Sequence, residues 1–117
     1  MLDDRIDVDT LDEMAGLLQE EFSSMLETYL QETSLLMQGV HAAVAEEDVD
    51  AVAAAAHQIK SSSAYLGMVK LSELAAGLEL RCGSGPDEGM GDVVAELEAE
   101  FEFVADYLMN EFGVEAP

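Results

Sequence analysis

The residue best placed to do chemistry in this sequence is His57. At helical spacing its neighbours are Ala53 and Ala54 one turn before, Lys60 and Ser61 one turn after, and Ala64 beyond. Only Lys60 among them is larger than serine, so on a helix the imidazole stands in a clearing with one cation beside it. Neutral imidazole is nucleophilic near neutral pH, and phosphorylating a ring nitrogen gives a phosphoramidate that readily passes the group on. Lys60 offers a counter-charge to phosphoryl oxygens, while small neighbours let donor, phosphorus and acceptor come into line. A lone helical histidine is more often a plain surface residue, and a solvated Lys60 would be unremarkable. The run Ser61-Ser62-Ser63 is odder, because serine competes with the helix for local hydrogen bonds. Something besides helix stability selects small residues there.

The elements that must position His57 read as helices throughout. Val49, Val52, Ala56, Ile59, Ser63 and Leu66 form one apolar stripe, from which His57 is excluded. Asp48 suits the N-cap of that helix and Gly67 its left-handed C-terminal cap. Before it, Leu18, Phe22, Met25, Leu26, Tyr29, Thr33, Leu36, Met37, Val40 and Val44 predict a long helix over roughly residues 17–46. Residues 2–9 are acidic and read as a loose segment, followed by a short helix that Thr10 caps with Glu13 in a capping-box pattern. After Gly67, Leu71, Leu74, Ala75, Leu78 and Cys82 stripe a fourth helix. The clearest loop, Gly83 to Gly91, precedes a fifth helix from about Asp92 to Phe112. On that last helix Val94, Leu97, Phe101, Val104 and Leu108 point inward, and Glu96, Glu98, Glu100, Glu102 and Asp106 mostly outward. The simplest all-α solution is an antiparallel four-helix bundle with a short additional N-terminal helix, one domain over residues 1–117.

Charge narrows the function. The 117 residues carry 26 acids against four bases, a net charge of −22, which repels nucleic acid and anionic membrane surfaces. Residues 51–86 are the exception, with Lys60, Lys70 and Arg81 against Glu73 and Glu79; the rest set Arg5 against 24 acids. An approaching anion such as a phosphoryl group is tolerated best where His57 stands. Cys82 is the single cysteine, with no partner for an internal disulfide and no neighbouring ligands for a metal. No apolar run approaches the ~20 residues needed to cross a bilayer, and the start lacks the regions of a signal peptide. These features read as a cytoplasmic protein. Neither a Gly-rich phosphate loop nor a metal-binding carboxylate cluster accompanies His57, so ATP and metal chemistry would belong to a partner.

The run Ala56-His57-Gln58-Ile59-Lys60-Ser61-Ser62-Ser63-Ala64-Tyr65-Leu66-Gly67 resembles the signature of histidine-containing phosphotransfer (HPt) domains of bacterial multistep phosphorelays. That pattern is a histidine, an aliphatic residue two later, a lysine three later, small residues next, and a glycine ten after the histidine. An acidic turn with Asp48 before the helix and Leu78-Glu79 closing the next one are similar too, so the likeness covers essentially the whole chain. It implies that His57 accepts the phosphoryl group, through Nε2, and that Lys60 contacts it. It also implies that Glu79 accepts the Nδ1 proton and fixes the tautomer, and that Ala53, Ser61 and Ala64 keep access open. Ser61 departs from the glycine often found at its position, which implies slightly tighter access. The implied partners are receiver domains of hybrid sensor kinases and response regulators, which supply Mg²⁺ and most of the catalytic apparatus; this chain is a monomeric carrier, not an enzyme, and binds no cofactor itself.

Other residues carry less. Met68 is expected to be partly exposed at a docking face, where Lys70 and Arg81 would steer or grip a partner. His41 reads as a surface residue, and neither histidine has a glutamate three residues before it, which counts against a di-iron carboxylate bundle. Two rival readings use the same residues: an HPt-like module that binds a response regulator without carrying phosphate, and an acidic mimic of nucleic acid.

Overall fold

Side-chain caps set the start of two helices in this chain, at Asp7 and Asp48, and burial sets the helix faces. The computed structural model describes residues 4–85 and 89–117, and five helices run through them: α1 (Val8–Leu18), α2 (Glu20–Ala45), α3 (Val49–Tyr65), α4 (Val69–Cys82) and α5 (Met90–Phe112). Among the described residues there is no strand. Helix α2 packs on α3, α3 on α4, α4 on α5 and α5 back on α2, which closes a four-helix bundle around one core. The turns between α2, α3 and α4 are short, so successive helices run antiparallel. Between α2 and α3, Glu47 adopts a left-handed φ of 58° and the Asp48 carboxylate accepts from the Ala51 N–H at 3.1 Å. The predicted stripe of α3 is the buried one: Val52, Ala56, Ile59 and Ser63 are fully covered, and Leu66 nearly so.

The N-terminal segment differs from expectation. Residues 1–3 and 86–88 lie outside the described residues, but residues 4–9 are held rather than loose. Asp7, not Thr10, caps α1: its carboxylate accepts from the Thr10 N–H at 3.2 Å and from the Thr10 hydroxyl at 2.9 Å. Ile6 before the cap and Leu11 four residues into the helix are both fully buried, a hydrophobic staple that fixes where α1 starts. The long helix predicted from residue 17 begins at Glu20, because Gln19 takes a φ of 51° and divides α1 from α2. Met90 starts α5 two residues earlier than predicted.

Glu100 is the second departure. It was expected on the outer face of α5, yet it is 3% exposed and is gripped by Arg5, whose Nε and Nη2 donate to Oε1 at 3.1 and 2.6 Å. The Arg5 guanidinium also lies 3.4 Å from the centre of the Phe103 ring. Its hydrogen bond to Glu100 pushes the guanidinium pKa up further, against a smaller effect of burial. A carboxylate can occupy this inner position because a planar cation covers it, and the same contact straps the N-terminal segment to α5.

Gly67 joins that segment to the turn after α3. Its φ is +80°, its carbonyl accepts from the Asp7 N–H at 2.7 Å, and a β-carbon there would lie 3.0 Å from the Asp7 β-carbon. Gly67→Ala is therefore expected to destabilise the fold by roughly 1–3 kcal/mol, combining a left-handed penalty with displacement of the α1 cap. Urea unfolding of the two chains measures this directly; equal midpoints would contradict it.

Candidate functional site

Helix α3 presents His57, Ser61 and Ala64 to solvent, with Ala53 and Lys60 half-buried beside them. The His57 side chain is 58% exposed and keeps that access because its helical neighbours are small. From α4, Glu79 reaches over to both functional residues at once. Its Oε2 lies 3.0 Å from His57 Nδ1, and its Oε1 accepts from Lys60 Nζ at 2.8 Å. A further bond, from the Ser72 hydroxyl to the Lys60 carbonyl at 2.9 Å, ties α4 to α3 about two turns before Glu79 on α4.

Electrostatics decide the tautomer. The Lys60 hydrogen bond holds the Glu79 carboxyl below its ordinary pKa, with His57 adding to the effect and desolvation opposing it. At neutral pH Glu79 is therefore an anion that can only accept, so Nδ1 of His57 must carry a hydrogen and donate it. In the neutral ring this leaves Nε2 with the lone pair, and the ring is mostly in water. The tie among the three side chains exists above the Glu79 pKa and is lost as pH falls below the usual carboxylate range.

The three serines after Lys60 separate into different tasks. Ser61 is exposed at the clearing, and the Ser62 hydroxyl donates back to the Gln58 carbonyl at 3.0 Å. Ser63 belongs to the core, where its hydroxyl pairs with Tyr29 of α2 at 2.8 Å. Burial pushes the Tyr29 phenol up to about 12, so it stays protonated and keeps that bond across the physiological range. Access to His57 therefore accounts for Ser61, and packing between α2 and α3 accounts for Ser63.

Three docking residues fall elsewhere than expected or only partly so. Met68 is fully buried at the start of α4 and offers nothing to a partner; its side chain follows the turn at Gly67 into the core. Lys70 is exposed but lines the α4–α5 groove with Arg5, Leu74 and Glu96, away from Glu79. Arg81, half-buried, follows Glu79 by two residues and so points about 200° around α4 from it. His41 pairs with Glu98 at the surface between α2 and α5. Sequence reasoning missed Tyr65, which is 68% exposed and, with Gln58, borders an apolar groove lined by Met25 and Leu36 of α2. An aromatic on the solvent side of α3 was the available signal. Among the described residues no group of three or more His, Cys, Asp or Glu side chains could hold a metal ion.

Residues 24–107 match the family model described as Hpt domain. The chain belongs to the Hpt domain family. A curated relative, "Sensor protein TorS" of Escherichia coli (strain K12), is 37% identical over 100 residues, covering 83% of this chain. The aligned region is only 11% of that relative's length. Among solved structures, histidine-containing phosphotransfer protein B (HptB) from Pseudomonas aeruginosa PAO1 superposes with a TM-score of 0.88 at 23% identity, over 92% of this chain and 93% of that one. The all-helical bundle is thus an Hpt fold. The family match does not favour the reading as a binding module that carries no phosphate.

Proposed function

We propose that this Hpt domain accepts a phosphoryl group on Nε2 of His57 from the aspartyl phosphate of one receiver domain and delivers it to an aspartate of another. The observation that carries this reading is the Glu79 contact, which occupies Nδ1 and leaves Nε2 as the lone-pair nitrogen of an exposed ring. In the forward step the Nε2 lone pair attacks phosphorus. The N–P bond forms as the bond to the aspartyl oxygen breaks, and the carboxylate leaves with the electron pair. The Nδ1 hydrogen stays where Glu79 holds it, so no proton needs to be removed from the attacking atom.

Lys60 neutralises phosphoryl oxygens at the transition state, and Ala53, Ser61 and Ala64 leave room for in-line approach. The receiver brings Mg²⁺ and its own acidic residues, while this chain contributes nucleophile, cation and surface. Docking centres on the exposed strip of α3 and the neighbouring flank of α2. The carrier works as a cytoplasmic monomer and does not bind nucleic acid or membrane. Its charge of −22 supports the last point, and no helix among the described residues is long and apolar enough to cross a membrane. Likeness to part of a sensor protein supports a place in signalling.

Incubation with a ³²P-labelled receiver and Mg²⁺ tests the reading. Label on this chain that is lost in acid and kept in base is the expected result; a chain that stays unlabelled, or a base-labile acyl phosphate, contradicts it.

A further inference from the structure

Two apolar grooves meet at Tyr65, which is 68% exposed near the end of α3. One lies toward α2, with Met25 and Leu36 in its walls; the other lies toward α1, with Met14 and Leu17. Each is also lined by one exposed glutamate, Glu32 in the first and Glu13 in the second. Helices α1 and α2 hold no lysine or arginine, and among the described residues neither carboxylate has a cation for a partner. Tyr65 stands about two turns of α3, roughly 12 Å, from His57. A domain that covers ~800 Å² of its partner spans a disc of about 16 Å radius, so one seated on His57 reaches Tyr65 and the grooves beside it. The covered walls favour binding, whereas a carboxylate covered without a cation opposes it. The surface thus selects by charge as well as by shape.

We propose, building on the function just stated, that Tyr65 and its two grooves select receivers whose docking surface is an apolar ridge flanked by lysine or arginine, with Glu32 and Glu13 reading the charge. Gln58, next to His57, also lines the α2 groove, so this seat is continuous with the phosphoryl site. The receiver is acidic where it holds Mg²⁺, and the carrier's charge of −22 repels that face; cations set against the two glutamates offset the repulsion. A receiver with acids in those places meets like charges and docks poorly, however well it fits the walls. These contacts form on docking and persist through transfer, so they act on the encounter and not on the N–P bond.

Transfer from a ³²P-labelled receiver with Mg²⁺, followed over a range of receiver concentration at about 50 and about 300 mM KCl, tests this. The substituted residues are all exposed, so each variant is expected to fold. Tyr65→Ala should raise the half-saturating receiver concentration roughly 10-fold and leave the saturated rate within twofold, as for loss of an aromatic anchor that binds ground and transition states alike. Glu13→Lys combined with Glu32→Lys should raise it roughly 10-fold or more at the lower salt, and the deficit should shrink at the higher. Glu102→Lys combined with Asp106→Lys makes the same change in net charge on the exposed face of α5, and should stay close to wild type. Half-saturation within twofold of wild type in either groove variant, or an equal loss in the α5 control, overturns the inference while leaving the carrier reading intact. A wild-type chain that takes no label from the receiver overturns both.

Discussion

His57→Gln is expected to abolish phosphoryl uptake outright while leaving the melting temperature within a degree or two of wild type. The imidazole is 58% exposed and its one polar contact is with a half-exposed glutamate, so little folding energy rides on it. Glutamine keeps a similar reach and an amide that can still meet Glu79, but its nitrogen has no available lone pair. Uptake at even a tenth of the wild-type rate would place the acceptor elsewhere. His41, at the surface beside Glu98, is the natural control: His41→Gln should transfer normally.

Lys60→Ala should slow transfer by roughly 10-fold or more, the order expected when a charged donor to the transferring group is removed. Stability should fall by under about 1 kcal/mol, because the Lys60–Glu79 pair is close to the surface and solvent-screened. The two effects separate by measurement: stopped reactions with a labelled receiver give the rate, and urea unfolding gives the stability. Lys60→Arg keeps charge but changes its shape, and should recover part of the rate. Wild-type rates in Lys60→Ala would mean that the lysine serves only to hold Glu79.

How much was legible beforehand depended on the range of the interaction. The stripes of α2 to α5 were readable because burial repeats at helical spacing, and Asp48 and Gly67 because capping is local. The clearing around His57 and the position of Lys60 came from the same helical arithmetic, whereas Glu79, 22 residues away on another helix, came from family likeness. What escaped was non-periodic. The break at Gln19 involves neither glycine nor proline, so its positive φ of 51° has no signal in the local sequence. Arg5 and Glu100 are 95 residues apart, so nothing in either neighbourhood tells that a glutamate of the acidic face turns inward. Ser63 stands on the predicted core stripe, but its hydroxyl's partner, Tyr29 of α2, lies 34 residues away and is not given by spacing. Met68 failed for a related reason: the turn at Gly67 redirects the chain, so helical spacing counted from His57 no longer applies beyond it.

In a working carrier the phosphoryl group sits on the ring nitrogen that Glu79 leaves free. Phosphorylation of ¹⁵N-histidine-labelled protein, followed by nitrogen–phosphorus coupling in NMR spectra, locates it. Phosphorus bonded to Nε2 of His57, with Nδ1 still carrying its hydrogen, is the predicted result; phosphorus on Nδ1, or on any other residue, would contradict it.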